Sequence, residues 1–315
     1  MNLVVITDCD HPSVEIEQEI FTRAGFVVRL ASCQTAQDVI EAGADAVGLL
    51  SQYAPITGEV LTALPTVQVV GRYGVGLDNI ELPAAEARGV QVVNVPDYCT
   101  EEVADHAFGL ILSLTRGYVA LDASVRLGRW DFRDAGKVRR ASGLRLGIVG
   151  AGRIGRAVAR RGLASRFEVV AYDPSPAYIA GVTFVDLEEL LAASDIVTLH
   201  APLNDQTRHL IDANAIAHMK LGAIVINTAR GGLIDQRALV QGLMSGHVGG
   251  AALDVFEVEP LALGDDLLGL TNVILTPHAA FYSDEAIIEM KQRVAAGMVA
   301  TLIASRMGSD QSVSR

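Results

Sequence analysis

A chain of 315 residues is too long for one typical domain and long enough for two, each with its own core. Half the residues are apolar and 20% are charged, which excludes a disordered chain. The formal net charge is -12 and the only lysines are Lys137, Lys220 and Lys291, so the chain has no basic face for nucleic acid or anionic membrane.

The opening "MNLVVITDCD" has no basic start and reaches an acid after a short apolar run, so it reads as a first strand and not a signal peptide. No stretch approaches the apolar length needed to span a bilayer. Cys9, Cys33 and Cys99 are widely spaced and odd in number, a usage that fits a reducing compartment and neither a disulfide framework nor a zinc site. The expectation is a soluble cytoplasmic protein.

Through the first hundred residues, short β-rich runs ("LVVIT", "FVVRL", "DAVGLL", "VQVVG", "VQVV") alternate with helix-length segments such as Val14 to Ala24 and Ile80 to Arg88. That alternation predicts a parallel sheet covered by helices. Between the last two runs lies "GRYGVGLDNI". Gly74, Val75 and Gly76 can turn backbone amides toward a carboxylate, with Arg72 reaching a substrate's distal end. The same segment also reads as a plain turn with Asp78 capping the next helix.

Thr100 to Arg116 is predicted helical, with Thr100 as N-cap, Glu101 and Glu102 at its positive end and Gly117 as the stop. Val103, Ala107, Leu110, Ile111 and Leu114 share one face, which suits either a bridge between domains or a dimer surface. Asp105 and His106 lie within it and read as structural. Trp130, in "GRWDF", reads as loop packing.

A second alternating series follows: "RLGIVG", "EVVAYD", "DIVTLH", "AIVINT", "GAALDVF" and "NVILTP". These continuous apolar runs suit strands buried on both faces. The first runs into Gly150-x-Gly152-x-x-Gly155, directly after a strand and directly before a helix that starts with Arg153 and Ile154. The three glycines serve a tight turn, close approach of a pyrophosphate and close helix packing, and the helix start offers free amides to the phosphates. The next strand ends in Asp173, eighteen residues beyond Gly155, where an acid can bind the adenosine ribose. Pro174 and Ser175 follow it, where an Arg would favour a 2′-phosphate, so the site reads as one for NAD(H).

Three later strands bring polar groups to the same edge: Thr228 and Arg230, then Asp254, Glu257 and Glu259, then His278. Ligands of open α/β sheets sit outside the carboxyl ends of the strands. A His can exchange a hydroxyl proton, a carboxylate can orient it, and an Arg can clamp a substrate carboxylate and polarise a carbonyl. That set suits hydride transfer. His200 reads as bordering the cofactor, and His11, His209, His218 and His247 read as surface residues. No His, Cys and carboxylate positions have metal-ligand spacing. The final segment, Ser283 to Met307, has helical spacing and no later strand to cover, so it is expected to pack back on the first domain.

Taken together, "GRYGVGLDNI", "GIVGAGRIG", "NTARGGLIDQRAL", "AALDVFEVEP" and "LTPHAA" resemble the D-isomer-specific 2-hydroxyacid dehydrogenases, in the right order over nearly the whole chain. "NTARGGL" and "TPHAAFYSDEA" are most similar to the branch of the C-terminal binding protein corepressors and their bacterial relatives.

The resemblance implies two Rossmann-like, doubly wound α/β domains with the active site in the cleft between them. The expected substrate domain is 1–99 plus 284–315 and the NAD-binding domain 100–283. The resemblance also implies NAD(H), a homodimer built on the cofactor domains, and a small 2-oxoacid or 2-hydroxyacid substrate. The family's catalytic Arg falls on Arg230, its His-orienting Glu on Glu259 and its acid-base His on His278. Its nicotinamide-amide Asp falls on Asp254, and its carboxylate-binding backbone on Val75 and Gly76.

"LLSQYAPIT" departs from the phosphoglycerate dehydrogenase pattern, which disfavours phosphoglycerate, and Phe281 stands where the corepressors carry Trp. The rival reading is a dimeric interaction protein gated by NAD(H).

Overall fold

Apolar β-branched runs bounded by glycine and polar turns place twelve strands and eleven α-helices in the computed structural model, which describes residues 2–312, with side chains to residue 306. By backbone proximity the chain divides into two compact units, Met1–Tyr98 with Ser283–Arg315, and Cys99–Tyr282. The divisions fall one residue before each expected boundary.

In the first unit, β1 (Leu3–Ile6), α1 (Glu15–Arg23), β2 (Val27–Leu30), α2 (Ala36–Ala42), β3 (Ala46–Ser51), α3 (Gly58–Ala63), β4 (Val69–Arg72), α4 (Leu82–Ala87) and β5 (Gln91–Val93) succeed one another. All five strands are parallel, in the order β2-β1-β3-β4-β5. This is the flavodoxin-like order, in which ligands gather at the carboxyl ends of the strands. Val5, Leu49, Leu61 and Val70 centre its core. Thr35 and Thr57 cap α2 and α3 with their side chains, and such caps contribute about 1 kcal/mol each. The N-cap position of α4 belongs to Glu81 and not to Asp78, since the helix starts at Leu82.

The second unit begins with α5 (Thr100–Arg116) and α6 (Tyr118–Arg126). Cys99, not Thr100, holds the N-cap position of α5, and Thr100 is its first helical residue. Gly117 ends the helix at φ 65°, as its position after Arg116 predicts. The α5 face made by Ala104, Ala107, Leu110 and Ile111 is buried against Leu146, Ile148 and Val158. Then come β6 (Arg145–Val149), α7 (Arg153–Ala164), β7 (Glu168–Tyr172), β8 (Thr183–Phe184), α8 (Leu187–Ala193), β9 (Ile196–Leu199), α9 (Ala213–His218), β10 (Ala223–Asn227), α10 (Gln236–Ser245), β11 (Val248–Leu253) and β12 (Val273–Leu275).

The sheet is again parallel, ordered β12-β11-β10-β9-β6-β7-β8, so the winding reverses between β6 and β9. That reversal is the doubly wound switch point at which dinucleotides bind. Trp130 does not pack into its loop: it is 90% exposed, on a segment where Val125, Leu127 and Phe132 are exposed too.

The last helix, α11 (Asp284–Ser312), returns to the first unit and packs on α1 and β4. There Lys291 donates to the Ser13 carbonyl and lies 3.4 Å from Glu17, which also accepts the Tyr73 hydroxyl at 2.5 Å. Among the described residues, no single helix is long and apolar enough to cross a membrane.

Candidate active site

The glycine turn leaves β6 at the switch point. Gly150 sits at φ 94°, in the left-handed region where a side chain would be strained. A methyl group on Gly155 would overlap the Gly150 carbonyl oxygen, so only glycine lets α7 lie this close to its strand. At Gly152 a side chain would meet nothing within 4 Å, leaving the backbone open to a pyrophosphate. No side chain caps the first turn of α7, whose amides are available to an anion.

Asp173, at the end of β7, accepts from the Ala151 amide at 2.8 Å and the Ser175 amide at 2.9 Å. It therefore ties the glycine turn to the adjacent strand, and its carboxylate keeps acceptor capacity for ribose hydroxyls. Across the switch point, the Thr228 hydroxyl at the end of β10 is buried without a hydrogen-bond partner, as expected of a group meant for a ligand.

His200, just past β9, shares a 2.9 Å hydrogen bond with Thr198. Desolvation pushes its pKa down to about 3, which keeps the ring neutral at physiological pH. These features fit a dinucleotide. Gly155→Ala is expected to weaken NADH binding at least about tenfold, because a backbone carbonyl cannot yield to the added methyl. Titration of NADH fluorescence measures this, and unaltered affinity would remove the glycine assignment.

The second cluster lies past β10, β11 and β12. Arg230 follows β10, with Asn227 Nδ2 holding its carbonyl at 2.9 Å. Gly231 comes next, and any side chain there would run into the backbone of Phe256 and Glu257, so the Arg230 loop and the Glu259 loop pack backbone to backbone. His209, exposed as expected, pairs through Nε2 with Glu257 and braces the same junction. The sequence gives no sign of that pair, since 48 positions separate the two residues.

Glu259 accepts the Phe256 amide at 2.9 Å through one oxygen and His278 Nδ1 at 2.7 Å through the other. Burial alone would raise its pKa. The hydrogen bonds from His278 and Phe256, with the charges of His278 and Arg230, outweigh burial and hold the carboxyl below its ordinary value. An ionised carboxylate only accepts, so Nδ1 carries the proton and Nε2 is left to exchange one. His278 stands at φ 54°, and its ring meets Phe281 edge-on at 6.3 Å.

Asp254 is wholly buried beneath this turn, its carboxylate accepting from Thr276 at 2.6 Å and from the Ala279 and Ala280 amides at 2.9 Å. Three donors of the His278 turn use three of the roughly four acceptor sites of this carboxylate, which leaves one for a further donor.

In the first unit, Arg72 ends β4 and donates to the Tyr73 carbonyl. Asn94, which the sequence did not single out, donates to the Val75 carbonyl at 2.7 Å and so fixes the Val75–Gly76 peptide. Tyr53, past β3, donates to Asp10 at 3.1 Å, and burial with the Asp10 charge pushes its hydroxyl up to about 12. Among the described residues no group of His, Cys and carboxylates could hold a metal ion.

A doubly wound parallel sheet with a glycine turn at its switch point, and a carboxylate-oriented His with an Arg at the same edge, defines an NAD-binding oxidoreductase. Residues 108–280 match the family model of the D-isomer specific 2-hydroxyacid dehydrogenase, NAD binding domain. The chain belongs to that family.

It is 42% identical over 253 residues to a glyoxylate reductase of Korarchaeum cryptofilum, covering 78% of this chain and 76% of that one. It is 41% identical over 234 residues to a hydroxypyruvate reductase of Thermotoga maritima, covering 73% and 76%. The crystal structure of a D-lactate dehydrogenase from Aquifex aeolicus, complexed with NAD and lactic acid, superimposes with a TM-score of 0.87 at 30% identity, covering 98% of this chain and 96% of that one.

Proposed function

We propose that the protein interconverts small 2-oxoacids and D-2-hydroxyacids. The observation that carries this reading is the 2.7 Å hydrogen bond from His278 Nδ1 to Glu259, which leaves Nε2 to exchange a proton with a substrate. Bound NAD(H) supplies the hydride acceptor in oxidation and the hydride donor in reduction.

In the oxidation direction His278 Nε2 takes the hydroxyl proton as the C2–H bond is broken, and Glu259 stabilises the imidazolium that results. In reduction the same nitrogen returns the proton to the C2 oxygen. Arg230 pairs with the substrate carboxylate and polarises the C2 oxygen. In the first unit, the Val75 and Gly76 amides are assigned to binding a carboxylate, and Arg72 to the distal end of a substrate. Gly150, Gly152, Arg153, Ile154, Gly155, Asp173, Thr228 and Asp254 hold the cofactor.

The names of the two reductases put glyoxylate and hydroxypyruvate first among candidate substrates. The intact Arg230, Glu259 and His278 favour chemistry over the cofactor-gated interaction role. The three free thiols support a reducing, cytoplasmic location. A homodimer is part of the same reading, supported by the exposed apolar residues Leu127, Trp130 and Phe132 following α6.

The test is NADH oxidation against glyoxylate, pyruvate, hydroxypyruvate, oxaloacetate, branched and aromatic oxoacids and phosphohydroxypyruvate, with light scattering on the same preparation. Turnover is expected on at least one small 2-oxoacid. NADH binding without turnover on any of them would overturn the reading.

A further inference from the structure

His278 adopts a left-handed backbone that a residue with a Cβ resists, so something must hold it there. Its own amide donates to the Asp254 carbonyl at 2.8 Å, and the next two amides, of Ala279 and Ala280, donate to the Asp254 carboxylate. The turn therefore closes around one buried acid.

Thr276, at the start of the turn, donates its hydroxyl to the same carboxylate at 2.6 Å. A threonine hydroxyl has one proton, and here it is spent. The 3.1 Å contact between Thr276 Oγ1 and His106 Nε2 must then run the other way, with the imidazole N–H donating to the hydroxyl oxygen. His106 Nε2 also stands 3.7 Å from Asp254 Oδ1.

The chain of donors runs from α5 through Thr276 to Asp254, and the amides of the turn converge on Asp254 from the other side. A buried acid whose partners are incomplete is costly, and a turn built on it loosens when one of them is removed.

We propose that His106 is a positioning residue for the acid-base histidine. By donating Nε2–H to Thr276 it completes the shell of Asp254, and Asp254 holds the Thr276–Ala280 turn so that the His278 ring stays against Glu259. The assignment rests on the reading of His278 as the acid-base group. It gives a task to a helix histidine that touches neither cofactor nor substrate in that reading.

Two variants test it. Leucine fills the space of the ring without a donor, whereas glutamine can place an amide N–H near the Nε2 position. His106→Leu is expected to lower kcat about tenfold or more, with the KM for the 2-oxoacid and the affinity for NADH changed by less than about threefold. His106→Gln is expected to recover kcat to within about threefold of the parent.

Amide hydrogen exchange over residues 276–280 is the second readout: it should quicken in the Leu variant and return to the parent's rate in the Gln variant. Unchanged exchange in His106→Leu would overturn the proposal, and so would equal loss of kcat in both variants. If the parent turns over none of the 2-oxoacids, the dehydrogenase reading fails, while the exchange rates still decide whether His106 holds the turn.

Discussion

His278→Ala is expected to lower turnover on the best 2-oxoacid by a factor of about 100 or more while NADH binds as before. The two effects separate because the ring lies outside the glycine turn, and what it contributes is a proton acceptor at Nε2. Glu259 fixes which nitrogen that is: as an acceptor at 2.7 Å from Nδ1, it keeps the proton there and leaves Nε2 for the substrate. Against burial, which would raise it, the hydrogen bonds from His278 and Phe256 and the charges of His278 and Arg230 hold the Glu259 carboxyl below the ordinary carboxylate range.

Glu259→Gln should accordingly cost less than His278→Ala. It keeps a group able to accept from Nδ1 and removes the negative charge that stabilises the imidazolium. Stopped-flow rates under single turnover, beside NADH fluorescence titrations, measure both effects. Unchanged turnover in His278→Ala would end the acid-base assignment.

Lys291→Met is expected to destabilise the first unit by about 3–5 kcal/mol, the cost of leaving one partner of a buried ion pair alone. Glu17 is 0% exposed and the Lys291 side chain 4%. The pair joins α11 to α1, and through the Tyr73 hydroxyl it reaches the end of β4 beside Arg72. Burial and the Glu17 carboxylate both raise the Tyr73 pKa, so the phenol stays protonated and keeps donating.

The control is Glu17→Gln combined with Lys291→Met, which removes both charges and should recover most of the loss. Urea denaturation followed by circular dichroism gives the shift in midpoint. A Lys291→Met protein as stable as its parent would show that the return helix is held by apolar packing instead.

The dinucleotide turn was legible because its demands are local. Gly150, Gly152, Gly155 and Asp173 lie within 24 residues, and each spacing answers to one steric or electrostatic need. The buried parallel strands were legible for the same reason, as runs of apolar residues between turns. Short elements were not: α2, α3 and α9 have six or seven residues and β8 two, too few for periodicity to emerge. Thr100 misled as an N-cap because a threonine one position inside a helix looks the same in sequence as one at its edge.

By itself the sequence determined the class of fold and the cofactor, and it singled out Arg230, Glu259 and His278 as the proposed reacting groups, since residue type, order and spacing carry those. Only the tertiary structure decided how the histidine is held. His106 and Thr276 stand 170 positions apart, and Asp254 lies 22 before Thr276, yet all three meet under one turn. The same is true of His209 with Glu257 and of Lys291 with Glu17, which are joined by sheet order and by the return of α11. Such contacts depend on which strand ends and helices become neighbours in space, and a linear pattern of residue types does not encode that adjacency.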